Sequence, residues 1–325
     1  MTTAPPSTGI AWGALVARHV EAHGGWVALV TELERRMRLA GLEPPAHDAA
    51  LKGLRRLARR AQGEGGQYGR WVLRCFGVPA DVEDQLAFIA QYHSRFGDLP
   101  TSLRRDQLLL WDRPPISESR LVAWVHVGLA SVHHRRRELG RMRERLAAAR
   151  AKDAGPLAAM ESALLAARVA SDDGDPGGAE ARFAEVAGRL EDAAEHLPYL
   201  ARLQGQRAFQ LTRASDDPGR FREARALFEA IPTGSEQPFV DYRRTAGLAY
   251  CAWKEGDAEG AEGLAREALE HAGDGGFARF RGMALNLLAR IVGGDEARAL
   301  RRRAGRLARS IEDAHLAEVA RIRDA

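Results

Sequence analysis

The sequence predicts an all-α protein, in which an N-terminal helical domain is followed by a solenoid of helical hairpins. Three observations predict this class. In the N-terminal half, apolar residues recur at helical spacing. In the second half, a short Gly-to-Ala pattern recurs, as expected of a repeated structural unit. The halves also differ in composition, because five of the six tryptophans and the excess of basic residues precede residue 150.

We predict four parts along the chain: a flexible N-terminus (1–9), a helical domain (10–96), an irregular connecting segment (97–120), and a helix-hairpin array that ends in polar capping helices (121–325). The chain has a formal net charge of +4 and a pI near 9.4. Because the basic excess lies within residues 1–150, any anion-binding role is expected in that half.

Bulk features narrow the class of protein further. No apolar run is long enough for a membrane span, and the first residues lack the pattern of a secretory signal. With only Cys75 and Cys251, a disulfide framework is not indicated. We therefore expect a cytoplasmic protein without a membrane partner.

A recurring turn defines the array. Gly174 is followed five residues later by Ala179, and the same spacing joins Gly219 to Ala224, Gly256 to Ala261 and Gly294 to Ala299. Acidic residues crowd each turn: Asp172, Asp173, Asp216, Asp217, Asp257 and Asp295. We expect each glycine to end a helix in the left-handed conformation. The acidic residues should favour the start of the next helix, and each alanine should lie where two helices cross closely.

The pattern resembles the tetratricopeptide repeat. The best match is RTAGLAYCAWKEGDAEGAEGLAREALEHA, residues 244–272, where Leu248, Ala249, Ala252, Gly256, Ala261, Ala265 and Ala268 take the family's small and apolar positions. Residues 163–186 give a second match, with Ala167, Gly174, Ala179 and Phe183, and a degenerate copy begins at Trp124. The resemblance covers residues 120–310. It implies a non-enzymatic interaction protein that binds a protein or peptide on a concave face; the alternative is an unrelated helical bundle.

The N-terminal domain is expected to contain helices near residues 10–22, 26–39, 46–61, 71–76 and 80–96. The second has an apolar stripe of Val27, Val30, Leu33 and Met37. The third has Leu51, Leu54, Leu57, Ala58 and Ala61 on one side, and a cationic stripe on the other formed by Lys52, Arg55, Arg56, Arg59 and Arg60.

This third helix resembles the recognition helix of a helix-turn-helix protein. The connection before it, AGLEPPAH, is longer than the usual turn. The resemblance implies that the five cations contact DNA. Because helix-turn-helix proteins often bind DNA as dimers, it also implies a possible homodimer. Two alternatives stay open: a solvated amphipathic helix, and docking onto an acidic protein surface. A second basic run, from His133 to Arg145, adds to the case for anion binding or forms another solvated face.

Residues 92–120 are rich in loop-forming residues. His93, Arg95, Asp98, Asp112 and Arg113 could shape a site there, which would make the protein an enzyme. The other interpretation is a structural strap held by Tyr92, Phe96 and Trp111.

No catalytic, cofactor or metal constellation emerges from the sequence. GEGGQYG lacks the Lys-Ser/Thr of a phosphate-binding loop, GGDE at residues 293–296 falls in a repeat turn, and His133-His134 has no further ligand at metal-binding spacing. The leading hypothesis is a regulator that joins a DNA-binding helix-turn-helix to a peptide-binding solenoid. The rival hypothesis is a protein-only scaffold or adaptor.

Overall fold

A computed structural model of the chain describes residues 9–60, 64–190, 196–213, 217–234 and 236–321. These residues form seventeen α-helices and two short 3-10 helices, and none of them lies in a β-strand. The predicted all-α class is therefore confirmed. Apart from Gly9, the segment predicted as a flexible N-terminus lies outside the described residues.

Five helices form the N-terminal part of the chain. They are α1 (Trp12–Ala22), α2 (Trp26–Leu39), α3 (His47–Ala58), α4 (Gly66–Phe76) and α5 (Ala80–Ala90). Helix α4 begins five residues earlier than expected, because Gly65 takes the left-handed conformation (φ +68°) against the Trp12 ring, where a side chain would clash. Helix α5 ends before the expected Phe96, since Gln91 is already extended.

The buried face of α2 differs from the predicted stripe at one position. Val30, Leu33 and Met37 are fully buried, but Val27 is 63% exposed and Leu29 takes its place in the core. The hydrophobic core formed by α1 to α5 continues without interruption to Leu165. The helical domain predicted at residues 10–96 thus has no core separate from the helices that follow it.

The predicted irregular segment, residues 97–120, contains a further helix, α6 (Thr101–Trp111), so that prediction was wrong for these residues. Short 3-10 helices precede and follow α6, at Arg95–Asp98 and Ile116–Glu118. The buried positions of α6 are spaced regularly, but two of the four are the polar residues Thr101 and Arg104. The sequence therefore shows no apolar stripe there.

The remaining helices pack as consecutive hairpins. They are α7 (Val122–Arg135), α8 (Leu139–Arg150), α9 (Pro156–Asp172), α10 (Pro176–Ala187), α11 (His196–Thr212), α12 (Pro218–Glu229), α13 (Pro238–Lys254), α14 (Ala258–Asp274), α15 (Ala278–Val292), α16 (Gly294–Ser310) and α17 (Ala314–Arg321). Each odd-numbered helix from α7 to α15 packs on the even-numbered helix after it. It also packs on the next odd-numbered helix, and this pattern continues to the contact of α15 with α17.

The repeated turns use aspartate caps. Asp175, Asp217 and Asp257 each precede a helix and accept a hydrogen bond from a backbone N–H of its first turn. Capping by Asp217 and Asp257 was expected. In the first turn Asp175 is the cap, because Asp172 and Asp173 still belong to the end of α9.

The glycines of these turns are not equivalent. Gly174 and Gly256 adopt the expected left-handed conformation, with φ of +77° and +89°. Gly219 does not: it follows Pro218 within the first turn of α12, so its expected role was wrong. In the last turn Gly293 ends α15, and the helix-crossing alanine is Ala297 rather than the half-buried Ala299.

The small residues at the other crossings lie as expected. Ala179, Ala224 and Ala261 are completely buried, and Phe183, Phe228 and Ala265 fill the adjacent positions of the core.

Replacing the exposed Asp257 by alanine tests one of the aspartate caps without disturbing the packing of the core. We expect Asp257→Ala to lower the free energy of unfolding by about 1 kcal/mol, because Gly260 N–H loses its 2.9 Å acceptor. Urea titration measures this, and an Asp257→Asn control should lose much less; equal losses would contradict the cap.

Candidate nucleic-acid interface

Helix α3 presents a cationic stripe on a well-packed scaffold. Its inner face buries Ala50, Gly53, Leu54 and Leu57. At Gly53 the helix approaches Tyr68 of α4 so closely that an added Cβ would lie 2.0 Å from the ring. The Tyr68 hydroxyl donates a 2.9 Å hydrogen bond to the carbonyl oxygen of Ala49. The orientation of α3 is thereby set by tight packing on its inner side.

The connection between α2 and α3 is held by a side-chain contact between these two helices. His47 at the start of α3 lies 2.9 Å from Glu34 of α2, measured from Nδ1 to Oε1. Gly41 takes a left-handed conformation (φ +70°), which allows the chain to turn after α2. The long connection that departs from a usual helix-turn-helix is thus bridged by a side-chain contact.

Of the five cations predicted for the interface, Lys52, Arg55 and Arg56 lie on the outer side of α3, and Arg59 and Arg60 directly follow its last residue, Ala58. Lys52, Arg55, Arg56, Arg59 and Arg60 are exposed. None forms an ion pair with a carboxylate of the described residues. Arg55 packs its guanidinium group 5.6 Å from the centre of the Trp26 ring, which restrains the side chain without neutralising its charge.

The second basic run has a different electrostatic environment. Its cations pair with carboxylates: Arg136 and Arg141 with Glu138, Arg137 with Glu318, Arg143 with Asp173, and Arg145 with Asp112, at 2.5–3.6 Å. Arg135 is buried beside Asp313. His133 contacts Glu138, and His134 lies 3.9 Å from Asp172. This run therefore offers little free positive charge to an anionic partner.

Only the start of the segment interpreted as a strap, residues 91–98, lies across the odd-numbered helices, and the name strap is used for these residues from here on. The backbone N–H of Tyr92 donates to Glu161 of α9 at 3.1 Å, and the Tyr92 hydroxyl accepts from Arg279 of α15 at 2.5 Å. The His93 ring lies 5.4 Å from the rings of Tyr199 on α11 and of Phe239 on α13.

The end of the strap is held by two further helices. Arg135 of α7 donates to the carbonyl oxygen of Gly97. The backbone N–H of Arg279 donates to the Asp98 carboxylate at 2.9 Å. The strap therefore covers a surface formed by the odd-numbered helices from α7 to α15.

A buried charge network surrounds the strap. Arg279 binds Asp313 at 2.9 Å and Arg202 binds Glu161, with all four side chains at most 7% exposed. Burial raises the pKa of Tyr92, but the guanidinium groups of Arg279 and Arg243 lower it more, to about 8. These contacts join the strap to α9 and α15, α9 to α11, and α15 to the turn before α17.

The residues proposed for an enzymatic site are spread among these contacts. His93 and Asp98 belong to the strap, where His93 packs on aromatic rings and Asp98 binds the start of α15. Asp112 instead pairs with Arg145 at 2.9 Å. Arg95 lies beside Gly276, and Arg113 is in the turn after α6. In the described part of the chain, two surface grooves lie between the C-terminal helices, and none of these five residues lines either of them.

Sequence reasoning missed one cationic surface, on α16. That helix was expected to be part of the polar cap, but its exposed Arg302, Arg306 and Arg309 line one of the two grooves, and Arg306 lines the other as well. The signal was present in the sequence, because positions i, i+4 and i+7 share one helix face.

In the described residues, no helix is both long and apolar enough to cross a membrane, and no group of three or more His, Cys, Asp or Glu side chains could hold a metal ion.

The comparisons with known proteins give no match: no protein-family model matches the chain, and neither does any curated protein. The helices and their charged surfaces are therefore the observations that bear on function.

Proposed function

We propose that this protein binds DNA through the exposed face of α3, as a regulator that joins a helix-turn-helix-like head to a tetratricopeptide-like solenoid. The observation that carries the proposal is the pairing state of the cations. The three basic residues of α3 and the two that directly follow it are exposed and lack carboxylate partners among the described residues, whereas the basic run after residue 133 is paired with neighbouring carboxylates. A surface of free cations on one helix is the form of charge that phosphate binding needs.

The packing of α3 supports the same function. A helix that inserts into a groove has to keep its direction, and α3 is fixed by Gly53 against Tyr68 and by His47 against Glu34. The mechanism is neutralisation of phosphates with release of their counterions, with individual cations available to base edges. The hairpin array α7 to α17 supports the solenoid part of the proposal, because its odd-numbered helices contact one another in sequence.

The test replaces two cations of α3. We expect Arg55→Ala/Arg59→Ala to weaken binding to a fluorescein-labelled 30-base-pair duplex of mixed sequence. Each lost phosphate contact should reduce the slope of log K against log salt by about 0.9. Fluorescence anisotropy across a salt series measures both quantities, and circular dichroism checks that the variant remains helical.

The matched control removes two arginines that are paired. Arg141→Ala/Arg143→Ala makes the same change in net charge, but it removes side chains that already bind Glu138 and Asp173. We expect its affinity and salt slope to match those of the parent. Equal losses in both variants would contradict a specific role for α3. Absence of DNA binding by the parent at low salt would favour the protein-only scaffold.

A further inference from the structure

Helix α16 separates two surface grooves near the C-terminus. One groove lies between α15 and α16 and is lined by Arg281, Leu285, Arg303, Arg306, Leu307 and Ser310. The other lies between α16 and α17, with Arg302, Arg306 and Arg309 along one side and Ala317 and Ala320 at its floor. Arg306 lines both grooves, so a single side chain links the two.

Four arginines of this surface have no ion-pair partner among the described residues. Arg302, Arg303, Arg306 and Arg309 are exposed, and none of them forms an ion pair or a side-chain hydrogen bond with another described residue. Arg298, one turn earlier on the same exposed side of α16, does pair with Asp295. The helix dipole accounts for a cation in the last turn, but Arg302 and Arg303 lie in the middle of the helix.

We propose that the α16 grooves bind an acidic amphipathic helix of a partner protein. Guanidinium groups bind carboxylates through paired, charge-assisted hydrogen bonds. The grooves also offer some apolar surface, because Leu307 and Ala317 are only half-buried beside the buried Leu285 and Ala320. A helix with leucines on one face and glutamates along its edges would match both features.

The shape of the surface favours this partner over a nucleic acid. A phosphate backbone is bound by positive charge, but its binding is not strengthened by packing against the half-buried Leu307 or Ala317. The grooves also follow the lines between neighbouring helices, where the side chains of a third helix can pack. The strap packs on helices α7 to α15, and none of its residues lines the α16 grooves. The C-terminal end of the array is therefore the partner site.

The probe is a fluorescein-labelled synthetic 20-residue helix with leucines at positions i, i+3 and i+7 and glutamates at the exposed positions between them. We expect saturable binding in fluorescence anisotropy, and Arg306→Glu should weaken it by about tenfold or more because it places a repulsive charge in both grooves. Arg298→Glu is the matched control. It changes the net charge equally on the same helix, and it should weaken binding by about twofold or less.

Three further arms make the result decisive. A peptide with glutamine in place of leucine should bind more weakly, and equal binding would overturn the amphipathic partner. A 20-nucleotide single strand should depend less on Arg306 than the peptide does, and a stronger dependence would overturn the peptide in favour of nucleic acid. The Arg55→Ala/Arg59→Ala variant should bind the peptide as the parent does, so this inference stands or falls separately from DNA binding by α3. Equal loss of peptide binding in Arg306→Glu and Arg298→Glu would also overturn the proposed peptide site.

Discussion

Replacing Asp313 by alanine is expected to lower the free energy of unfolding by about 3–5 kcal/mol, because it leaves buried positive charge without its partner. The Asp313 side chain is fully buried, lies 2.9 Å from Nε of Arg279, and is 4.0 Å from Nε of Arg135. Burial raises the pKa of its carboxyl group, but the two guanidinium groups lower it more, so the net shift is downward. The carboxylate also accepts a 2.9 Å hydrogen bond from the N–H of Leu316.

Urea unfolding, followed by circular dichroism at 222 nm, measures the effect. Asp295→Ala is the matched control, since Asp295 also pairs with an arginine but its side chain is 91% exposed. An exposed pair contributes about 0–1 kcal/mol. Asp313→Asn separates the two roles of the residue, because the amide oxygen can still accept from Leu316 while the charge is lost. If Asp313→Ala costs no more than Asp295→Ala, the buried network does not stabilise the fold.

The same substitution tests how the strap is held. Arg279 binds Asp313 with its side chain and also contacts both ends of the strap, through the Tyr92 hydroxyl and the Asp98 carboxylate. Loss of Asp313 should therefore speed hydrogen exchange of the amides in residues 91–98. The strap and the charge network would then form one cooperative unit.

The cationic stripe of α3 could be predicted because it depends only on helical period. Leu54 and Leu57 point inward, and the basic residues between them must then point outward. What the sequence could not show is which arginines are free. Arg137 is neutralised by Glu318 from the far end of the chain. Pairing across such distances depends on how the helices pack, which no local pattern contains.

The turns of the array were predicted in part for a related reason. The signal of a cap is an acidic residue near a helix start, but the sequence offers several candidates at each turn. Asp175 is the cap of α10 because Asp172 and Asp173 remain at the end of α9. At Gly219 the preceding Pro218 already starts α12, so a left-handed glycine is not needed. These choices follow from where each helix ends.

Helix α6 escaped prediction because its buried face contains a charged residue. Arg104 is 0% exposed, and none of its three side-chain nitrogens has a hydrogen-bond partner among the described residues. Its guanidinium group lies 5.8 Å from the centre of the Phe96 ring. Burial lowers the pKa of Arg104 strongly, and the nearby guanidinium groups of Arg135 and Arg279 lower it further. The cost of burying this charge is thus poorly offset.

Replacing Arg104 by methionine is therefore expected to stabilise the protein. Arg104, Arg135 and Arg279 together place three cations beside only two carboxylates, Asp98 and Asp313. Removing Arg104 leaves two cations, Arg135 and Arg279, beside the two carboxylates. Exchanging a buried ion for an apolar side chain of similar length is often neutral or stabilising by about 1–4 kcal/mol. We expect a gain within that range, measured as a higher urea midpoint with an unchanged slope.

The control is an equally buried arginine that does have a partner. Arg202 is 1% exposed and pairs with Glu161, whose side chain is fully buried. Arg202→Met should lower the free energy of unfolding by about 3–5 kcal/mol, because it strands the Glu161 carboxylate. The two variants make the same chemical exchange and should move stability in opposite directions. A loss of stability in Arg104→Met close to that in Arg202→Met would show that Arg104 stabilises the fold through its contact with Phe96 and its surroundings.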